Sequence, residues 1–98
     1  MLFRSSKQLE TQHTAVLESA LETLTSIYQK QHKPDKEEVY LRALVKLQER
    51  SHHPDDPQFG KTLAEYATVL KLNGKAEEAA KQETRATAIL GRISRGSE

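Results

Sequence analysis

The fold is decided by residues 56–90, which read DPQFGKTLAEYATVLKLNGKAEEAAKQETRATAIL. Asp56 is a typical helix-capping residue, and Pro57 suits the first helical position, where the missing N–H costs nothing. An apolar stripe with helical spacing follows: Phe59, Leu63, Tyr66, Ala67 and Leu70. Asn73-Gly74 is a typical helix stop, and a second amphipathic segment starts near Ala76. This stretch therefore predicts a pair of helices joined by a tight turn.

The remainder of the chain repeats this organisation. Breaks at Pro34, at Pro54 and at Asn73-Gly74 divide it into segments, which predict helices near residues 12–32, 36–51, 57–72 and 76–94. The second segment is apolar from Val39 to Leu47 except at two positions, so we expect it to be covered from more than one side. No strand pattern is present, and the predicted class is all-α. The residues expected to be largely buried are Leu24, Val39, Tyr40, Leu44, Leu63, Tyr66 and Leu70.

An internal repeat connects the two halves. The first and third segments match at an offset of 42 residues, which places Leu21 on Leu63, and the second and fourth match at 43, which places Arg42-Ala43 on Arg85-Ala86. Because one hairpin cannot bury its own apolar face, the pattern predicts two stacked helix-turn-helix repeats, an α-solenoid of four helices.

Two stretches of the second repeat resemble the tetratricopeptide repeat (TPR) family, in its longer variety found in kinesin light chains. Residues 53–64 look like that family's linker and helix start, and residues 70–79 look like its turn, in which a small residue, here Ala79, lets the paired helices approach closely. Residues 42–44 and 85–86 resemble its second helix. The first repeat departs from the pattern by one missing residue in its turn, by His32 in place of glycine and by Lys36 in place of the small residue.

The resemblance implies a binding face for a peptide or protein on the first helix of each repeat. Carried over to this chain, that face would present the following residues: Ser19, Glu22, Ser26, Gln29 and Lys30 from one helix, and Lys61, Ala64, Thr68, Lys71 and Leu72 from the other. The residues by which some members hold a terminal carboxylate or a peptide backbone are absent at the matching positions. The partner-binding set is therefore Ser19, Glu22, Ser26, Gln29, Lys61, Thr68 and Lys71.

Composition excludes several classes of function. With no cysteine there is no disulfide, thiolate metal site or cysteine nucleophile. Fifteen Lys and Arg nearly cancel fourteen Asp and Glu and are interleaved with them, so no basic stripe for nucleic acid is present. No apolar run is long enough for a secretory signal or a membrane span. We expect no nucleic-acid or membrane partner, and a cytoplasmic location.

Catalysis and metal binding are not expected either. His52-His53 followed by Asp55 and Asp56 contains metal-ligand residue types, but adjacent side chains do not readily converge on one ion, and no metal site is predicted. No glycine-rich phosphate loop or nucleophile elbow is present, so we expect no enzyme and no cofactor. The three tyrosines could stack on bases, but their helical spacing favours core packing.

The sequence therefore predicts residues 12–94 to be two TPR-like hairpins, about 12–51 and 57–94. Residues 1–11 would be a leader or the start of the first helix, and residues 95–98 a flexible tail. The leading hypothesis is a scaffold or adaptor that binds a protein or peptide. The alternatives are a structural cap or self-assembling subunit of a larger helical-repeat complex and, third, a small-molecule or metal sensor. Apolar residues on the first helix, among them Val16, Ala20 and Ile27, favour a homodimer or a partner contact through that helix.

Overall fold

The computed structural model describes residues 2–52 and 55–96, with side chains described for 12–52 and 55–92. These residues form four helices and no strand: α1 Leu2–Lys30, α2 Pro34–Ser51, α3 Pro57–Leu72 and α4 Ala76–Gly96. The prediction of an all-α chain with four helices is confirmed. Residues 2–11, left open as a leader or an early helix start, belong to α1, and α4 extends two residues beyond the expected end near 94. His53, Pro54 and the last two residues lie outside the described part.

The two hairpin turns have the same length and geometry. His32 has φ 56° and Gly74 has φ 79°, so both adopt the left-handed conformation typical of a helix end. The backbone N–H of Lys33 donates to the carbonyl of Tyr28 at 3.0 Å, and that of Lys75 donates to Leu70 at 2.8 Å. Both turns therefore close with the same six-residue hydrogen bond.

This equality corrects the sequence alignment of the second and fourth helices. The helix starts Pro34 and Ala76 are separated by 42 residues, so the offset of 43 and the missing turn residue were wrong. The counterpart of the small residue Ala79 is then Glu37 and not Lys36. Lys36 is exposed and places its ammonium 5.7 Å from the centre of the Tyr28 ring, outside the close approach of the helices.

Each helix packs on its neighbours in sequence. In the described residues the helix pairs in contact are α1 with α2, α2 with α3, and α3 with α4. The molecule is flat, with extents of 49 × 38 × 20 Å. Helix α2 is covered on two sides, as its apolar composition predicted, and its buried residues include Leu41, Leu44 and Val45.

The predicted core is confirmed in α3 and partly wrong in α2. Leu63, Tyr66 and Leu70 are buried, as is Leu44. Leu24 and Tyr40 are half-buried, and the Tyr40 ring stacks on Tyr28 with centroids 5.4 Å apart. Val39 is 58% exposed, because the two buried sides of α2 are centred on Leu41 and leave Val39 on its outer side.

Small residues bring α3 and α4 together. Ala79 is fully buried, in agreement with the role expected from the resemblance. Gly60 is also buried, and a Cβ atom at this position would lie 3.0 Å from Leu90 Cδ2 and 3.1 Å from Ile89 Cγ2. The second hairpin is therefore closely packed along its length.

Candidate functional site

A groove runs between α1 and α3, and we call it the α1–α3 groove. One cavity in this groove has a volume of about 560 Å³. It is lined by residues of α1, α2 and α3, which include Gln29, Pro34, Glu37, Glu65, Thr68 and Leu72. A second cavity, of about 380 Å³, is lined by residues that include Glu22, Gln58, Lys61 and Glu65. Glu65 belongs to both linings, so the two cavities are neighbours on the face of α3.

The predicted partner-binding residues are all exposed, but the groove gathers four of the seven. Glu22 and Lys61 line the smaller cavity, and Gln29 and Thr68 line the larger one. Ser19 and Ser26 lie on α1 outside both linings. Lys71 is directed to α4, where its ammonium lies 2.8 Å from the Glu83 carboxylate.

Glu37 is the unusual residue of the groove. It lies in the first turn of α2, is only 6% exposed and lines the larger cavity. Among the described residues, no hydrogen bond or ion pair reaches its carboxylate. Burial, together with the nearby negative charge of Glu65, raises the pKa of Glu37 above its ordinary value.

Glu65 continues the acidic character of the groove on α3. Glu65 is exposed as a whole residue, but partial burial of its carboxyl is the main cause that raises its pKa; the charge of Glu22 raises the pKa further, and Lys61 acts in the opposite direction. Glu37, Glu65 and Glu22 thus form a row of mutually repelling carboxylates that crosses from α2 over α3 to α1. Gln58 bridges the smaller cavity, with its amide nitrogen 3.3 Å from the Glu22 carboxylate.

The adjacent residue Glu38 is equally buried but fully partnered. Its carboxylate accepts hydrogen bonds from Arg42 at 2.6 Å, from Asn73 at 2.7 Å and from Lys75 at 2.5 Å. Burial alone would raise the pKa of Glu38, but the hydrogen bonds from Lys75 and Asn73 and the charges of Lys75 and Arg42 outweigh it, and the pKa is lowered. Glu38 therefore ties the start of α2 to the turn between α3 and α4.

His52 forms a second cluster, at the opposite end of α2. Its Nε2 lies 2.8 Å from a Glu18 oxygen and its Nδ1 lies 2.8 Å from an Asp56 oxygen. The bonds to Asp56 and Glu18 outweigh burial and raise the pKa of His52. The other Asp56 oxygen accepts the Gln58 backbone N–H at 2.9 Å, which is the predicted cap of α3.

The geometry of this cluster is that of an ion pair between helices. Both ring nitrogens of His52 face carboxylates, and a protonated imidazole donates from both. Within residues 12–52 and 55–92, no group of three or more His, Asp or Glu side chains is arranged to hold a metal ion. His53, the other histidine considered as a ligand, is outside the described residues.

No protein-family model, curated protein or solved structure matches this chain. In the described part, none of the helices is both long and apolar enough to cross a membrane. Function is therefore inferred from the residues and geometry of the chain itself.

The sequence did not single out Glu37 and Glu65. Residues 35–38, which read DKEE, have the composition of a solvated first helical turn, in which acids near the helix N-terminus are usual. The available signal was the repeat: at the correct offset of 42, Glu37 occupies the position of the buried Ala79. A charged residue at a small-residue position would have identified it.

Proposed function

We propose that this protein is a non-catalytic interaction module of the TPR-like kind, which holds a segment of another protein in the α1–α3 groove. The observation that carries the proposal is the groove itself, because it lies between the first helices of the two hairpins and opens beside Leu72, a large apolar side chain that is 68% exposed. Exposed apolar surface beside hydrogen-bonding side chains is typical of a protein-binding site.

The correspondence between the hairpins supports a repeat architecture. At the offset of 42, Leu21 corresponds to Leu63 and Leu44 corresponds to Ala86, and all four are buried. The turns correspond in length, hydrogen bonding and left-handed conformation. A segment laid along the groove would contact the first helix of both hairpins, and surfaces shared between stacked repeats are how such proteins form extended binding sites.

The proposal is tested by affinity capture from the native cell with mass spectrometry. The wild-type chain is compared with a double variant, Glu22→Lys with Lys61→Glu, which reverses two charges of the smaller cavity and keeps the net charge. A matched control, Glu77→Lys with Lys81→Glu, makes the same exchange on α4. Partners lost from the groove variant and kept by the control support the proposal, whereas identical partners for all three proteins contradict it.

A second candidate is assembly through α1. Val16, Leu17 and Ile27 are exposed on this helix, and such an apolar stripe is stabilised when a second chain covers it. In this alternative the chain is a self-assembling subunit, and the same stripe forms a homodimer. We also propose a cytoplasmic location, to which the absence of cysteine is suited.

A further inference from the structure

Glu37 is a charged residue at a position that holds a small residue in the second hairpin. Its counterpart in the second hairpin, Ala79, is fully buried where α3 and α4 approach each other. The Glu37 carboxylate reaches solvent only at the larger cavity, and this partial loss of hydration costs free energy unless a cation approaches it. Glu38, the next residue, shows how the chain meets this requirement elsewhere, with three donors within 2.7 Å. Glu37 has no such donor among the described residues and faces the larger cavity.

The larger cavity combines negative charge with apolar walls. Glu37 and Glu65 supply two carboxylates, while Pro34, Val69 and Leu72 supply apolar surface. The lining contains His32 but no lysine or arginine. A long side chain with an apolar stem and a cationic end matches this surface, because the stem can lie on the apolar wall while the charge reaches the carboxylates.

We infer that the larger cavity of the α1–α3 groove binds a lysine or arginine side chain of a partner polypeptide, held by the carboxylates of Glu37 and Glu65. The inference rests on the proposed function and specifies the chemistry of its partner. A cavity of about 560 Å³ is within the usual range of ligand sites and accommodates such a side chain.

The remainder of the groove favours a polypeptide as the source of the cation. The smaller cavity continues from Glu65 toward Glu22 and Gln58, so a chain that places a cation at Glu37 has polar groups available for its flanking residues. The row of Glu22, Glu65 and Glu37 carries more negative charge than Lys61 neutralises, which gives electrostatic complementarity with a basic segment. The raised pKa values of Glu37 and Glu65 agree with this, because an incoming cation would relieve the repulsion between them.

The test begins with selection of a random peptide library displayed on phage against the wild-type chain. Each enriched peptide is measured by calorimetry against the wild type, Glu37→Gln, Glu65→Gln and the control Glu77→Gln, an exposed glutamate of α4. Each peptide is also made with norleucine in place of its lysine, which keeps the apolar stem and removes the charge. Thr68→Arg, at an exposed position in the cavity lining, serves as a variant that blocks the site.

The expected result is a set of peptides that share a lysine or arginine and are lost in Thr68→Arg. Glu37→Gln should weaken them by about tenfold or more, Glu77→Gln should not, and the norleucine peptide should bind Glu37→Gln and the wild type equally. Suppose instead that peptide binding is lost in Thr68→Arg but is unchanged by norleucine, by Glu37→Gln and by Glu65→Gln. This result would contradict the cation site and would still support the interaction module. A selection without any peptide sensitive to Thr68→Arg would contradict both. Circular dichroism verifies that each variant is folded.

Discussion

Two adjacent glutamates at the start of α2 are almost equally buried, yet they have opposite electrostatic environments. Glu38 accepts hydrogen bonds from three side chains that belong to α2 and to the turn between α3 and α4. Glu37 faces the groove and the charge of Glu65. Glu38 contributes to stability and Glu37 opposes it. The same substitution to glutamine should therefore have different effects at the two positions.

At Glu38, we expect glutamine to lower the free energy of unfolding by about 1–3 kcal/mol at neutral pH, because hydrogen bonds to a charged acceptor are weakened. The pKa of Glu38 is lowered from 4.5, so the stability that it provides is present above that value and is lost as the pH falls through the pKa of the folded state. The difference between Glu38→Gln and the wild type should therefore shrink in acid. Urea unfolding at several pH values measures it, and an equal stability of the two proteins at pH 7 would contradict the role of Glu38.

At Glu37, we expect glutamine to leave the free energy of unfolding unchanged or to increase it at neutral pH. The raised pKa means that protonation of Glu37 favours the folded state, and this contribution is present below 4.5 and is lost as the pH rises through the pKa of the folded state. Glutamine has no charge to bury, so the advantage of the variant should grow from acid to neutral pH. The same urea series measures it, and a loss of more than about 0.5 kcal/mol at pH 7 would indicate that Glu37 has a stabilising partner.

At His52, we expect the contribution to stability to change at a higher pH than at the two glutamates. Its raised pKa means that the stability from the protonated imidazole is fully present below 6.5 and is lost as the pH rises through the pKa of the folded state. His52→Gln should lose about 1–3 kcal/mol at pH 6, because charge-assisted bonds to Glu18 and Asp56 are removed, and the loss should shrink in alkaline solution. His13→Gln, at an exposed position of α1, is the control. A loss for His52→Gln that is independent of pH would show that the imidazole acts only by packing.

At the scale of the helix, sequence predicts α3 better than α2 for a physical reason. Helix α3 has one continuous stripe, so Leu63, Tyr66 and Leu70 follow directly from the spacing. Helix α2 is apolar on most of its circumference, and its spacing therefore does not distinguish the two buried sides from the outer side on which Val39 lies. A helix enclosed between two neighbours can be recognised from its sequence, but its orientation depends on the packing of those neighbours.

Prediction from the sequence has the same limit at the groove. The first helix of each hairpin was correctly expected to be exposed on the face that carries Glu22, Gln29, Lys61 and Thr68. Glu37 was missed because an error of one residue in the alignment of the turn placed Lys36 on Ala79. His32 adopts the left-handed conformation, which sequence alone favours only weakly for histidine. This conformation lets the first turn have the same length as the second.

The orientation of α2 can be tested with two truncations. Leu44→Ala should lower the free energy of unfolding by about 2–5 kcal/mol, because it leaves a cavity at a residue that is only 2% exposed. Val39→Ala removes apolar atoms from the same helix on its outer side and should change stability by less than about 0.5 kcal/mol. Chemical denaturation of both variants measures the contrast. Similar losses for the two would show that Val39 is also enclosed.

At the scale of the whole molecule, packing in sequence order leaves the outer side of the first helix bare. Leu17, Leu24 and Ile27 correspond at the offset of 42 to Phe59, Tyr66 and Val69, which are all buried in α3. In α1, Leu17 and Ile27 are exposed, as is Val16 beside them. The face that is buried in α3 is therefore largely uncovered in α1 among the described residues, where only Leu24 is half-buried.

The other end of the molecule does not offer a matching apolar face. Leu41 and Val45 of α2 are buried, whereas their counterparts in α4, Glu83 and Thr87, are exposed and polar. A contact of α1 on the α4 of a second copy would place apolar side chains against polar ones and would continue indefinitely from copy to copy. Pairing of α1 with α1 instead covers apolar surface on both chains and closes as a dimer.

We therefore predict a homodimer through α1, stabilised by about 25 cal/mol for each Å² of apolar surface that it buries. Light scattering coupled to size exclusion at micromolar concentration should give twice the chain mass of 11.1 kDa. Leu17→Glu combined with Ile27→Glu should return the protein to the monomer, since the dimer would bury their charges without partners. Val39→Glu, at an exposed apolar position of α2, is the matched control and should remain dimeric. Because association links folding to concentration, the thermal midpoint of the wild type should rise with concentration, and that of the double variant should not. A wild-type monomer whose midpoint is independent of concentration would contradict the dimer and leave the α1 stripe to a different protein.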